Sequence, residues 1–255
     1  MKRLGVLVYS VVNYALGVAA LLYLIAFLFN LFVPVSIDSG AAGSTIAAVV
    51  ADLGLILLFG LQHSIMARPG FKGWLTRLLP RAAERSTFML ATAVVTFTLC
   101  LLWQPLPTVL WQADSPVLHN ILLGSGILGW VLVLYATCLI NHFDLFGLRQ
   151  AWLYFRGREY THLPFKTAAL YRYIRHPIMT GVFVGIWFTP VMTAGHLLFA
   201  LGMSAYILVG VYHEEQDLIR SFGQRYLRYR RETGRFLPRL PARRSTTGRT
   251  ASSGV

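Results

Sequence analysis

Six apolar runs constrain the fold of this chain more than any other feature of its sequence. A run of about 20 apolar residues can cross a bilayer as a helix, and a soluble domain of this size has no core large enough to bury six such runs. The hydrophobic fraction is 56% and the charged fraction only 13%, far from the composition of a soluble domain. The runs occupy residues 4–33, 44–66, 86–103, 117–140, 178–192 and 196–212.

These runs predict an all-α polytopic integral membrane protein with about five to six transmembrane helices. The run 178–192 is short for a full crossing, so its outer end is undefined, and together with 196–212 it predicts a C-terminal helical hairpin. Apolar residues also recur at helical spacing in the basic stretch 67–85 and from residue 216 onward. Such a pattern predicts amphipathic helices at the cytosolic membrane surface.

The positions of the cations predict the orientation of the chain in the membrane. If the N-terminus is cytosolic, all 23 Lys and Arg residues lie on the cytosolic side, and the outer connections 34–43 and 104–116 contain none. Because cytoplasmic loops carry the excess of Lys and Arg, we expect both termini in the cytosol. The formal charge of +13 then suits contact with membrane lipids, and no nucleic-acid partner is expected because no nucleic-acid module is recognisable.

The chain divides into two parts by composition. We expect residues 1–240 to form a single membrane domain, whereas the basic tail 241–255, which is rich in Ser, Thr, Gly and Arg, is predicted to be disordered. The sequence leaves the oligomeric state open.

Two motifs place opposite charges at one membrane face. Residues 171–181 read Y-R-Y-I-R-H-P-I-M-T-G, and residues 213–229 read H-E-E-Q-D-L-I-R-S-F-G-Q-R-Y-L-R-Y. If the hairpin forms, the cations Arg172, Arg175 and His176 lie at the same boundary as the acids Glu214, Glu215 and Asp217. Charges there are costly unless they are paired or used. The cluster is therefore our functional-site hypothesis, and the alternative is a cluster that only joins helices.

Four further polar residues are candidates for chemistry. His142 and Asp144 follow the fourth run and suit a general base with its orienting group, although a polar loop that caps a helix C-terminus would look the same. His63, near the inner end of the second run, is either a second candidate base or a packed residue. Asp52, inside that run, is either a proton relay or substrate contact, or a hydrogen-bonded structural acid. No His, Cys, Asp or Glu set has metal-ligand spacing, so no metal site is predicted.

Several motifs resemble a known group of membrane methyltransferases. R-H-P-I-M-T-G at 175–181 and the paired Glu followed by F-G-Q-R-Y-L-R-Y at 222–229 resemble the isoprenylcysteine carboxyl methyltransferase and phospholipid N-methyltransferase superfamily. Met179 departs from that pattern, which usually has Tyr there. L-Q-H-S-I-M-A-R-P-G-F-K at 61–72 and N-H-F-D-L-F-G-L-R-Q-A-W-L at 141–153 look like the methanethiol S-methyltransferases, and with these segments the resemblance covers most of the chain.

The resemblance implies S-adenosylmethionine as cofactor, methanethiol as methyl acceptor and dimethyl sulfide as product. It also implies a bacterial inner (cytoplasmic) membrane and a catalytic core in about 141–240. By charge, Arg175 would meet the cofactor's carboxylate, and a Glu its ribose hydroxyls or ammonium. The expected cofactor-binding residues are Arg172, Arg175, His176, Pro177, Gly181, Glu214 and Glu215.

A thiol must lose its proton before it can accept a methyl group, and a histidine at the cytosolic face is the natural base. Our first choice is His142, backed by Asp144, and our second is His63, with Tyr171 as an orienting group. Three alternatives remain: a lipid- or isoprenylcysteine-directed methyltransferase, a related NADPH-dependent sterol-type reductase, and a membrane protein without catalytic activity.

Overall fold

The computed structural model describes residues 2–41, 43–161, 163 and 169–239. Within these residues the chain forms ten α-helices and two short β-strands, with 3₁₀ turns at Arg81–Ala83 and Ala169–Arg172. In chain order the elements are α1 (Arg3–Leu28), α2 (Thr45–Ala67), α3 (Pro69–Leu78), α4 (Glu84–Leu102), β1 (Val109–Gln112), α5 (Pro116–Ile140), α6 (His142–Leu145), α7 (Leu148–Phe155), α8 (Pro177–Trp187), β2 (Val191–Thr193), α9 (Ala194–Phe222) and α10 (Gln224–Glu232).

Five helical segments of the described chain are long and apolar enough to cross a membrane: α1, α2, α4 with its preceding turn, α5 and α9. The sixth apolar helix, α8, has 11 residues and rises only about 16 Å, roughly half of the hydrocarbon thickness. The prediction of an all-α polytopic membrane protein with five to six spans is confirmed. The tail 241–255 lies outside the described residues.

The connections α4–α5 and α8–α9 contain a β-ribbon that the apolar runs did not predict. The expected loop after α4 contains β1, which pairs antiparallel with β2 between α8 and α9. Further backbone bonds continue the pairing, with Ala113 N–H donating to Pro190 O at 2.9 Å and Ala194 N–H donating to Thr108 O at 2.8 Å. A short α8 leaves its following residues without helical partners, and near lipid those backbone groups must be satisfied by other parts of the protein.

The hairpin helix α8 packs closely and antiparallel against α5. A Cβ atom on Gly181 would lie 2.6 Å from the carbonyl oxygen of Gly129 and 2.9 Å from a methyl group of Val133. A Cβ atom on Gly185 would lie 2.6 Å from the indole nitrogen of Trp130. Small residues at such a contact let two helices approach within membranes. The C-terminal end of α5 is therefore held beside the N-terminal end of α8.

Amphipathic segments cover one end of this bundle. Helix α3 buries Leu75 and exposes Trp74 and Leu78, and α7 packs its buried Ala151 with Val6 of α1. The amphipathic stretch from residue 216 onward first continues α9 to Phe222. The chain then turns at a glycine with a φ of +53° and begins α10.

Asp52 has a structural role in the observed fold. Its side chain is fully buried, and one carboxyl oxygen accepts the backbone N–H of Gln104 at 2.9 Å. This bond ties the connection after α4 to α2. The geometry favours the structural alternative for Asp52 over a proton relay.

Candidate functional site

A buried ion pair stands at the centre of the predicted charged cluster. Nε of Arg175 donates to Oε1 of Glu215 at 2.9 Å, and the two side chains are only 7% and 2% exposed. The same guanidinium donates through Nη1 to the carbonyl oxygens of Arg230, at 3.1 Å, and Thr233. The second Glu215 oxygen accepts Nη2 of Arg235 at 3.2 Å. Bonds within the protein therefore occupy both members of the pair.

The segment after α10 forms part of this cluster. Arg175 N–H donates to Gly234 O at 2.8 Å, and His176 N–H donates to Arg235 O at 3.1 Å. The Thr180 hydroxyl donates to Phe236 O at 2.8 Å. This pairing along the start of α8 was absent from the sequence analysis, because a single short extended segment carries no periodic signal.

His176 links the two neighbouring glutamates. Its Nε2 lies 3.2 Å from Glu215 Oε1, and its Nδ1 lies 3.5 Å from Glu214 Oε2. The imidazole is buried, whereas the Glu214 side chain is 53% exposed. Glu214 therefore keeps acceptor capacity for a ligand, while Glu215 is enclosed by its partners.

The remaining predicted cofactor residues also include both buried and exposed positions. Arg172 is exposed, and within the described chain no carboxylate forms an ion pair with it. Pro177 is the first residue of α8 and is buried, and Gly181 is buried in the contact with α5. The structure thus gives Pro177 and Gly181 packing positions and leaves Arg172 exposed to solvent.

Tyr171 connects the charged cluster to the end of α5. Its hydroxyl lies 3.5 Å from the carbonyl oxygen of Ala136, and its own carbonyl oxygen accepts the hydroxyl of Tyr229 at 2.5 Å. Burial raises the pKa of the Tyr171 phenol, and the negative charge of Glu214 raises this pKa further. The phenol is therefore neutral and can act as a hydrogen-bond donor near Glu214.

His142 lies at the same end of α5, in the turn that follows this helix. Asn141 ends α5 and caps α6, because its side-chain oxygen accepts the N–H of Asp144 at 3.0 Å. The turn directs His142 back towards α5, where Nδ1 lies 2.8 Å from the hydroxyl of Thr137. Nε2 lies 2.9 Å from the hydroxyl of Tyr14 on α1. Burial lowers the pKa of the His142 imidazole below its ordinary value, so the ring is neutral at neutral pH.

The expected orienting contact between Asp144 and His142 does not form. Asp144 instead accepts Nη1 of Arg149 at 2.8 Å and the hydroxyl of Tyr160 at 3.2 Å. A charge-assisted pair with an arginine stabilises a carboxylate more than a contact with a neutral imidazole does. Thr137 and Tyr14 orient His142, and neither residue carried a signal because each is a single polar group in an apolar run.

His63 occupies a separate environment among aromatic rings. Its imidazole stacks on Phe59 with ring centroids 5.5 Å apart, and it contacts Phe88 at 4.7 Å and Tyr206 at 6.3 Å. Nδ1 is buried without a hydrogen-bond partner in the described part of the chain. The structure therefore gives His63 a packed position between α2, α4 and α9, whereas His142 lies beside the Tyr171 end of α5.

No three His, Cys, Asp or Glu side chains of the described residues come close enough together to hold a metal ion. The fold and this site define a class, namely an all-α polytopic membrane protein with a charged cluster and a histidine at one end of its helices. Comparisons with known proteins narrow that class.

The chain is similar along nearly its whole length to curated methyltransferases. It is 46% identical over 247 residues to methanethiol S-methyltransferase 2 of Bradyrhizobium diazoefficiens, covering 97% of this chain and 95% of that protein. It is 44% identical over 238 residues to the Mycobacterium tuberculosis methanethiol S-methyltransferase, covering 93% and 98%. Nurim of Sus scrofa is 30% identical over 196 residues, covering 72% and 71%. No protein-family profile and no solved structure matches the chain.

The chain belongs to the methanethiol S-methyltransferase family. The resemblance found in the sequence motifs is thereby confirmed. Enzymes of this kind need a methyl donor as well as an acceptor.

The arrangement of the two glutamates generates a prediction about stability. Glu215→Gln removes the charge that balances Arg175 and Arg235 in a buried position. Breaking a buried pair costs about 3–5 kcal/mol, so we expect a clearly lower thermal unfolding temperature of the detergent-solubilised protein. Glu214→Gln is the matched control on the same helix, and its unfolding temperature should stay near that of the wild type. Equal unfolding temperatures for the two variants would show that the Glu215 pair does not stabilise the fold.

Proposed function

We propose that this protein transfers a methyl group from S-adenosylmethionine to methanethiol and releases dimethyl sulfide. The observation that carries the proposal is the extensive identity, over more than nine-tenths of the chain, to relatives named for this activity. The site agrees with such a reaction, because exposed groups of both signs and a neutral histidine lie at the same end of the bundle. We also propose that residues 1–240 act as one domain with its catalytic core in about 141–240.

The open residues of the site fit the polar groups of S-adenosylmethionine. This cofactor carries a carboxylate, an ammonium, a ribose diol and a sulfonium. Arg172 is exposed and suits the carboxylate, while the half-exposed carboxylate of Glu214 suits the ammonium or the diol. Arg175 and Glu215 would act indirectly, since their charges hold α8, α9 and the segment after α10 around these two residues.

Aromatic rings near His142 fit the sulfur chemistry. Tyr14, Phe143 and Phe146 surround the imidazole with centroid distances of 5.7, 5.6 and 4.6 Å. Aromatic faces attract cations and contact sulfur atoms favourably. These rings would therefore accept both a small thiol and a methyl group on a positively charged sulfur.

The reaction itself favours a site with little water. The bound cofactor supplies an electrophilic methyl group on a sulfonium, and a thiolate attacks it. Both charges disappear in the products, so water stabilises the separated reactants more than the transition state. Residues that exclude water and align the two sulfurs lower the barrier. The apolar rings beside His142 would exclude water.

His142 is the group that we propose as the base for the thiol. A histidine base must be unprotonated at the working pH, and burial keeps the pKa of His142 below its ordinary value. His63, our second choice, is enclosed by Phe59 and Phe88 and serves as a control. Asp144 would hold α6 and α7 together through Arg149 and would not orient the base.

We further propose that the protein lies in a bacterial cytoplasmic membrane with both termini in the cytosol. The distribution of all 23 Lys and Arg residues supports this orientation. A fluorescent protein that folds only in the cytosol should therefore be bright when it is fused after Val255. Activity of a periplasmic reporter fused at the same position would contradict the orientation.

The exposure of Glu214 generates a prediction about cofactor affinity. Glu214→Gln should weaken binding of S-adenosylmethionine about 10- to 150-fold, because hydrogen bonds to charged groups contribute roughly 1.5–3 kcal/mol. Titration calorimetry on the purified protein measures this affinity. Asp217→Asn is the matched control, since Asp217 has a similar exposure of 50% but pairs with Arg68 and Arg220. Weakening of similar size in both variants would point to a general charge effect.

One assay tests the activity and the base together. Purified wild type supplied with S-adenosylmethionine and methanethiol should release dimethyl sulfide, which headspace chromatography detects. Methylation of a lipid instead, or binding of NADPH, would favour one of the alternative enzymes.

In the same assay His142→Gln should lower turnover by about 10²–10⁴ near neutral pH. The loss should shrink towards about pH 9.5, because the thiol then ionises without a base. Cofactor affinity should stay near that of the wild type. A loss of constant size across the pH range would remove His142 from the role of base, and a pH-dependent loss in His63→Gln alone would assign that role to His63.

A further inference from the structure

The hydrogen bonds around Thr137 determine which nitrogen of His142 carries the proton. A threonine hydroxyl has one hydrogen to donate. Thr137 Oγ1 lies 2.7 Å from the carbonyl oxygen of Leu134, which can only accept, so the hydroxyl hydrogen points there. Thr137 Oγ1 also lies 2.8 Å from His142 Nδ1 and must accept in that contact. Nδ1 of His142 therefore carries the hydrogen.

The assignment of Nδ1 leaves Nε2 of the neutral imidazole with a lone pair. Nε2 lies 2.9 Å from the Tyr14 hydroxyl, so this hydroxyl must be the donor. The basic atom of the proposed base is consequently already bound to a phenol. Tyr14 comes from α1, is half-buried, and its oxygen keeps acceptor capacity for a further hydrogen.

We propose that Tyr14 is a catalytic residue that relays the proton of the thiol to His142. This inference rests on the proposed function. The thiol gives its hydrogen to Oη of Tyr14 while Tyr14 gives its own hydrogen to Nε2 of His142. The S–H bond breaks and its electron pair stays on sulfur. That electron pair forms the new S–CH₃ bond. The electron pair of the bond between the methyl group and the sulfonium sulfur stays on that sulfur as it departs. His142, now an imidazolium, later releases the proton to solvent, and Tyr14 returns to its starting state.

Direct transfer to His142 is disfavoured by the occupancy of its ring atoms. Nδ1–H of His142 donates to Thr137, and Nε2 accepts the hydroxyl of Tyr14. The rings of Phe143 and Phe146 lie against the imidazole. A thiol would have to displace Tyr14 to reach Nε2. The relay needs no displacement, since the phenol already bridges to the base.

The charged groups around α6 are bound elsewhere. Asp144 pairs with Arg149, and Nε of Arg85 donates to the carbonyl oxygen of Leu145 at 2.9 Å. His142 is held by uncharged partners, Thr137 and Tyr14. The protonation of His142 is therefore sensitive to the hydroxyl of Tyr14, which stabilises the neutral ring.

Tyr14→Phe tests the relay, because it removes the hydroxyl and keeps the ring that packs near Phe146. Tyr9→Phe is the matched control on the same helix, where the hydroxyl contacts Thr87 at 3.0 Å. The first readout does not need turnover. Nitrogen NMR of labelled histidine, assigned with His142→Gln, should report the Nδ1–H form in the wild type. In Tyr14→Phe the pKa of His142 should rise by about half to one pH unit, and Tyr9→Phe should leave it unchanged.

The second readout compares the turnover of two thiols, measured by headspace chromatography as release of the methylated sulfide. Tyr14→Phe should lower turnover of methanethiol by about 10²-fold, and should lower turnover of a more acidic fluorinated alkanethiol of similar size much less. An equal loss for both thiols would make Tyr14 a packing residue. Unchanged or higher turnover would mean that the thiol reaches His142 directly. An Nε2–H form of His142 in the NMR spectrum would also overturn the relay. If the wild type methylates neither thiol, the proposed function fails, whatever the NMR result.

Discussion

The buried carboxylate of Glu215 is the constraint on which the rest of this end of the molecule depends. A charge with 2% exposure is unfavourable in a protein interior unless cations and donors surround it. The carboxylate is surrounded by Arg175, His176 and Arg235. The first two residues directly precede α8, and Arg235 lies in the segment after α10. Satisfying one carboxylate therefore brings together three parts of the chain that are distant in sequence. The close contact of α8 with α5 then fixes this assembly against the remaining helices.

The two adjacent glutamates of the motif differ in burial. Glu215 faces inward and is enclosed by its partners, whereas Glu214 is one residue away on the same helix and faces outward. Successive residues of a helix point about 100° apart, so Glu215 can face the core while Glu214 lies nearer the surface. The two arginines that precede α8 differ in the same way, since the Arg175 side chain is buried and Arg172 is exposed. The buried pair of Arg175 and Glu215 joins these segments, whereas the side chains of Arg172 and Glu214 remain accessible to solvent.

The histidine half of the site depends on the end of α5 and not on the charged cluster. Asn141 ends this helix and caps the next, and the tight turn between them aims His142 at Thr137. Tyr171 reaches the preceding residue, Ala136, from the other side. One helix terminus therefore presents both the histidine and the phenol near the charged cluster. Because α1 crosses beside this terminus, Tyr14 becomes the second partner of the imidazole.

The sequence by itself determined the class of fold, since apolar runs of the required length leave the chain few alternatives in a membrane. It also predicted the meeting of Arg175 with the paired glutamates, because a hairpin of adjacent segments brings those two ends together. Only the tertiary structure decided which partners each charge takes. Asp144 binds Arg149 and not His142, Glu215 and not Glu214 is buried, and β1 pairs with β2 between the connections α4–α5 and α8–α9. Such choices depend on competing contacts between segments far apart in the chain. The spacing of apolar residues within one segment does not predict those contacts.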